Sequence, residues 1–357
     1  MHNTLVKRFL DSCSDNRKSK TCPELGRRIQ NRKWAGLFAI VVALTVCGAR
    51  AEAQQPTKIP RIGYLGGGSP SSNPARIEAF RQGLRELGYV EGENIVIEWR
   101  YAEEKLDRLP ALAAELVSLK VDIIVTAGPS VTRAAKEATN TIPVVMAFDS
   151  DPVGNGFVAS LARPGGNITG LATFAPELSG KRLELLKEVV PRLSRVAVLG
   201  TSTYPSNAEA LRETELAAGA FGVKLQYLDV LSPKDIETTF RTASKGRADA
   251  VLVLQTPLLV FQRTQVVDFG VKSRLPTIYP QTEFTEAGGL MYYGANTPDM
   301  YRRAATYVDK ILKGRKPTDL PVEQPTKFDL VINLKTAKQI GLTIPPNVLV
   351  RADRVIK

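Results

Sequence analysis

The hexapeptide Arg61-Ile62-Gly63-Tyr64-Leu65-Gly66 returns 134 residues later as Arg195-Val196-Ala197-Val198-Leu199-Gly200. The same gapless offset carries Ser72-Asn73 onto Ser206-Asn207 and Gly88 onto Gly222. One spacing that joins an apolar strand, a helix start and a glycine stop implies two units of related topology within the chain. Runs rich in Val, Ile and aromatic residues predict strands at 61–65, 94–99, 121–126 and 143–148, then at 195–199, 223–228, 249–254 and 275–279. Asn73-Pro74, Ser232-Pro233 and Thr297-Pro298 each place a capping side chain before a first-turn proline, and Gly88, Gly222 and Gly314 sit where left-handed helix ends belong. Strands without strict alternation, joined by helices, predict an α/β fold of two Rossmann-like lobes with parallel sheets covered on both faces.

The first 53 residues hold all three cysteines and the only histidine of the chain. Nine Lys and Arg residues among the first 33 precede an uncharged apolar run, 34–48, and then Ala51-Glu52-Ala53. That order predicts a signal peptide at 1–53, cleaved after Ala53, and export to the periplasm; left uncleaved, the segment would be an anchor. Ten of the 48 basic and four of the 36 acidic residues lie in it, so the net charge falls from +12 to near +6 after cleavage. Binding of nucleic acid therefore loses most of its electrostatic case. With Cys13, Cys22, Cys47 and His2 gone, a disulfide, a histidine general base and a Cys or His metal site are excluded, and no metal or cofactor is expected.

Two such lobes leave a cleft at the carboxyl ends of their strands, where open α/β sheets bind ligands. Gly66-Gly67-Gly68-Ser69 follows the first strand and lets a ligand approach backbone N–H groups, or is a plain flexible loop. Gly128-Pro129-Ser130 opens a helix after the third strand, a place for a carboxylate or an ordinary helix start. Asp149 and Asp151 end the fourth strand; one of them meets an ammonium group, or both brace the turn. Tyr204, Ser206, Gln255, Thr256 and Tyr279 follow strands of the second set and so face the cleft from the other side. Tyr279 and Tyr204 offer faces to an apolar or aromatic ligand, or are core residues with a wet hydroxyl.

Between the two sets runs a glycine- and proline-rich crossover containing Asp151-Pro152-Val153-Gly154 and continuing from Pro164 to Gly170. Together with Tyr89-Val90-Glu91-Gly92-Glu93-Asn94 and the tail Val331-Ile332-Asn333-Leu334-Lys335-Thr336-Ala337, it resembles the ABC transporter substrate-binding proteins of the tryptophan/tyrosine-type group. Phe157, where aliphatic residues are common, and the long leader are its departures. The resemblance implies a type I periplasmic binding-protein fold with a three-strand hinge. Lobe 1 would comprise 58–148 and 289–314, lobe 2 177–288 and 315–357, and the crossover 149–176. It also implies a monomer that captures a small organic, amino-acid-like molecule and delivers it to an ABC permease in the membrane. Two other readings share the cleft: a periplasmic sensor for a membrane receptor, and an enzyme using Asp149, Asp151, Glu283 or Lys272 as acid and base.

Overall fold

In the computed structural model the described residues are 58–173, 175–325 and 327–357; the predicted leader and Ala53 lie outside them. The first copy of the repeated hexapeptide is strand β1 (Arg61–Gly66), which pairs in parallel with β2 (Val96–Tyr101) and β3 (Ile123–Ala127). Adding β4 (Val144–Asp149) and β5 (Ile168–Ala172) gives a parallel sheet in the order β2-β1-β3-β4-β5. The second copy is β6 (Arg195–Gly200), followed by β7 (Lys224–Asp229), β8 (Ala250–Val253), β9 (Thr277–Tyr279), β10 (Met291–Ala295), β11 (Phe328–Asn333) and β12 (Arg354–Ile356). Their order is β12-β11-β10-β9-β8-β6-β7, so the five strands from β6 to β10 repeat the first sheet's arrangement. The offset of 134 thus reflects a true duplication of topology.

Alternate residues of each strand feed opposite faces, as a sheet covered on both sides requires. Ile62 and Tyr64 join one apolar cluster while Leu65 joins another. Val196 and Val198 separate from Ala197 and Leu199 in the same way. An aspartate brackets three strands: Asp122 accepts from Arg61 N–H and Asp249 from Arg195 N–H at the starts of β1 and β6, and Asp353 from Leu330 N–H within β11, at 2.8, 2.9 and 2.9 Å. Each of these aspartates returns its own N–H to the same residue's carbonyl.

Helices α1 (Pro74–Glu86), α2 (Leu109–Ser118) and α3 (Pro129–Ala138) cover the first sheet. The second carries α4 (Ala175–Val189), α5 (Pro205–Phe221), α6 (Asp235–Lys245), α7 (Pro257–Phe261), α8 (Arg263–Lys272) and α9 (Thr282–Glu286). Asn73 and Pro74 stand at the start of α1, but the Asn73 side chain makes no capping bond, contrary to expectation; Gly222 ends α5 with φ +67°, as predicted. Two other starts move. The cap of α10 (Thr297–Leu312) is Asn296, whose Oδ1 accepts from Asp299 N–H, and α6 begins past Ser232 because Asp235 takes the loop N–H groups of Leu231 and Ser232.

Three expectations about chain sharing are corrected. Segment 290–294 does not return to the first sheet: β10 lies between β9 and β11, and β11 is antiparallel to it. Only α10 crosses back, packing on α1, where the Tyr89 hydroxyl donates to Asp309 at 2.9 Å. Residues 320–323 stay with the first sheet, since Glu323 pairs with Leu171 and Thr169 donates to the Leu320 carbonyl at 2.6 Å. The three crossings therefore fall after β5, at Asn296 and after Glu323; the last two lie beyond the expected positions near 289 and 315. The tail finishes the second half with β11, α11 (Leu334–Ile340), α12 (Pro346–Leu349) and β12.

Candidate ligand-binding cleft

The carboxyl ends of both sheets face one cavity of about 760 Å³, its open mouth included. After β1, the loop from Gly66 to Ser69 lines it; the Gly66, Gly67 and Gly68 carbonyls accept from Ala102, Glu104 and Glu103 N–H, which fixes the loop's path. Ser69 reaches the wall, but its hydroxyl is engaged with Ser72 at 2.7 Å and Ser71 at 3.0 Å.

Gly128 and Ser130 also line the cavity, and Gly128 adopts φ +97°, a conformation glycine enters without a Cβ penalty. Yet the start of α3 is a poor anion site. Val131 and Thr132 N–H already donate to the Gly128 carbonyl and Pro129 has no N–H, which leaves Ser130 N–H as the donor without a bond in that turn among the described residues.

From the second half, Tyr204, Gln255 and Thr256 reach the wall. The Thr256 hydroxyl caps α7 by accepting from Leu259 N–H at 3.1 Å, so the helix start fixes where this wall residue points. Burial, with the Asp149 charge adding to it, raises the Tyr204 hydroxyl above its ordinary range.

Four expected contacts are not on the wall. Tyr279 is buried, stacked on Phe284 with ring centroids 4.9 Å apart, because its strand turns it into the second core. Ser206 lies in the first turn of α5, beside Tyr204 but off the cavity. Asp149 is wholly buried, and its Oδ1 accepts from Asp151 N–H at 3.1 Å and Asn155 Nδ2 at 3.0 Å. Asp151 accepts from Gly154 N–H at 2.8 Å. Both carboxylates brace the turn after β4, the bland alternative for this pair. Desolvation pushes the Asp149 carboxyl up to about 7.

The residues that dominate the wall are ones the strand ends did not indicate. Tyr64, Tyr101, Phe148, Phe261 and Tyr301 join Tyr204 to make it aromatic. Arg76, on the first turn of α1, is 4 % exposed and crosses to the second half, where its guanidinium meets Glu283 at 2.6 Å and Gln281 at 3.0 Å. It also stands over the Phe148 ring, 5.6 Å from its centre. Burial works against its charge, but Glu283 and Tyr301 together more than compensate. Arg76 could have been found: it precedes Phe80 and Leu84 at helical spacing, so α1's buried stripe carries a cation.

A smaller chamber, about 290 Å³ with its opening included, adjoins this cavity, sharing Phe148, Gln255 and Gln281 with it. Arg182 of α4, 2 % exposed, lines it and donates from Nε to the Tyr293 carbonyl at 2.9 Å.

This architecture has close counterparts. The model of the ABC transporter substrate binding protein family matches residues 69–356. A tyrosine-binding protein of Clostridioides difficile strain R20291 is 24% identical over 273 residues, 76% of this chain and 78% of that protein. A conserved domain protein of Vibrio cholerae is similar in structure with TM-score 0.78 and 26% identity, over 84% of this chain and 100% of that one. An ABC domain from Streptococcus pneumoniae, solved in complex with L-Trp, gives TM-score 0.77 and 28% identity over 83% and 99% of the two chains. With two parallel sheets of repeated order, strand ends converging on one cleft, and a family match spanning nearly all of the described residues, the chain belongs to the ABC transporter substrate-binding protein family.

Proposed function

We propose that this chain is an exported receptor for an α-amino acid with an aromatic side chain, which it presents to an ABC permease. The observation that carries the reading is the wall of six aromatic residues, drawn from both halves, with the ion-paired Arg76 among them. Such a wall offers ring faces to an apolar or aromatic group while a few polar atoms fix its orientation. The tyrosine-binding relative and the neighbour holding L-Trp support the same ligand class. Glu283 is bonded to the lining Arg76 but stands behind the wall; its buried Oε2 has no partner among the described residues, and we assign it as the acceptor for the ligand's ammonium group.

The two halves then act as lobes, hinged at the three crossings, that close around the ligand. The leader read at 1–53, cleaved after Ala53, accounts for export; among the described residues no helix is long and apolar enough to cross a membrane. Catalysis is disfavoured because the proposed acids and bases are spent elsewhere. Asp149 and Asp151 hold a turn, Glu283 pairs with Arg76, and Lys272 is exposed over the Phe269 ring.

Thermal unfolding with a panel of amino acids, sugars and polyamines tests the reading. A ligand at 100 times its Kd adds about 2.7 kcal/mol. L-Tryptophan, L-tyrosine or L-phenylalanine should stabilise the protein, and aliphatic amino acids and sugars should not. Stabilisation by another class, with no response to the aromatic amino acids, would sink it.

A further inference from the structure

Two arginines are buried at the cleft, and their charges are treated differently. Arg76 has a carboxylate at 2.6 Å. Arg182 has none: beyond the Nε bond to Tyr293, no hydrogen bond or ion pair engages its two terminal amino groups among the described residues. A buried ion without a counter-charge costs several kcal/mol, so it is retained where something else supplies the opposite charge. Desolvation pushes Arg182 down to about 10, offset in part by Tyr292 and Tyr293, so the group stays cationic at neutral pH. It lines a chamber that adjoins the aromatic cavity, with Phe148, Gln255 and Gln281 as the walls between them.

We propose that Arg182 is the residue that fixes the ligand's carboxylate, held by its terminal amino groups in the side chamber while the side chain of the ligand fills the aromatic cavity. This deepens the amino-acid reading and rests on it. The guanidinium fork presents two parallel donors matched to a carboxylate, which a helix start cannot do with the single free N–H at Ser130. Gln281 lines both chambers and bonds Arg76, so it stands between the carboxylate and ammonium ends of such a ligand. The arrangement also gives selectivity: an amine or amide in place of the acid leaves the arginine buried and unpaired.

The test compares L-tryptophan with L-tryptophanamide and tryptamine by calorimetry, in the parent and in Arg182→Gln and Arg182→Lys. The parent should bind the acid at least about 100-fold more tightly than either analogue. Arg182→Gln should lose that preference while keeping its weak amide affinity, and Arg182→Lys should regain part of it. A folded Arg182→Gln that keeps the parent's preference for the acid overturns the assignment. Should that variant not fold, guanidinium 15N spectra of the parent decide instead, the Arg182 signal being assigned with Arg182→Lys. The signal should move with L-tryptophan and not with tryptamine, and an unmoved signal overturns the proposal. If no aromatic amino acid binds but another carboxylic acid does, the aromatic reading falls, and the same acid-against-amide comparison judges Arg182. If only ligands without a carboxylate bind, both fall.

Discussion

Arg76 on α1 and Glu283 on α9 meet across the cleft at 2.6 Å, joining the two halves of the molecule through a pair that is 4 % and 12 % exposed. Arg263 adds a second link, donating from Nη2 to the Ser72 carbonyl at 3.2 Å. The structure is therefore a closed arrangement, held partly by groups that water would solvate if the halves separated.

From this follows a first prediction. Removing one member of a buried pair leaves the other charge uncompensated, a loss of about 3–5 kcal/mol, whereas replacing both by apolar groups is often neutral. Arg76→Gln and Glu283→Gln should each shift the protein toward an open form, read as a larger radius of gyration in solution scattering. The double variant Arg76→Met/Glu283→Leu should return to the parent's dimensions. Singles as compact as the parent would show that the pair does not hold the closed form.

The duplicated five-strand order could be read from the sequence because local pattern and the 134-residue offset agreed at a strand, a helix start and a glycine stop. The assignment of β10 failed because a strand such as Met291–Ala295 carries no mark of its partners; only the path of the chain decides that α10 crosses and β10 does not. The cleft's position was legible from strand ends, and six of ten expected residues line it. Arg76 and Arg182 were missed although both lie on apolar helical stripes, with Phe80 and Leu84 following one and Leu186 and Val189 the other. What makes them functional is where those stripes meet another element, and residue spacing does not report that.

Asp149 makes stability depend on pH in a defined direction. Burial holds its carboxyl at about 7, helped by the charge of Asp151 and opposed by the bonds from Asp151 N–H and Asn155 and by Arg133. A group whose folded value lies above its unfolded one gives stability that is complete below about pH 4 and is lost as pH rises through about 7. The parent should therefore lose about 2 kcal/mol from this group between pH 5 and pH 8. Asp149→Asn, which keeps the acceptor for both turn donors, should remove that loss. Urea unfolding of both proteins at the two pH values measures it; equal pH dependence would mean the carboxyl is ionised throughout.

Asp151 separates the two meanings that the sequence left open for this turn. As a ligand for an ammonium group, its loss would weaken binding roughly 30- to 1000-fold. As the acceptor for Gly154 N–H at 2.8 Å, its loss should cost about 1 kcal/mol of folding stability and leave affinity within a few-fold of the parent. The second outcome is expected for Asp151→Ala, from titration calorimetry and thermal unfolding of the same preparation. Weakened binding at unchanged stability would restore the carboxylate to the site.

The last prediction concerns the contact by which α10, arriving from the second sheet, is fastened to the first half. Gly83 of α1 faces α10 so closely that a Cβ there would stand 2.3 Å from the Arg302 carbonyl oxygen and 2.9 Å from the Ala305 methyl. Two effects of Gly83→Ala oppose each other. Alanine is favoured over glycine within a helix by about 1 kcal/mol. The overlap, however, is with backbone in the middle of a helix, which cannot rotate away as a flexible side chain would, so the helices must separate. Overpacking of this kind costs about 1–3 kcal/mol and also pulls on the bond between Tyr89 and Asp309. The clash should win, and thermal unfolding should show a net fall in stability. Because Arg76 lies seven residues away, about 10 Å along the helix, ligand affinity should change less than stability does. A variant more stable than the parent would mean that helix propensity dominates and that α1 and α10 pack more loosely than the structure has them.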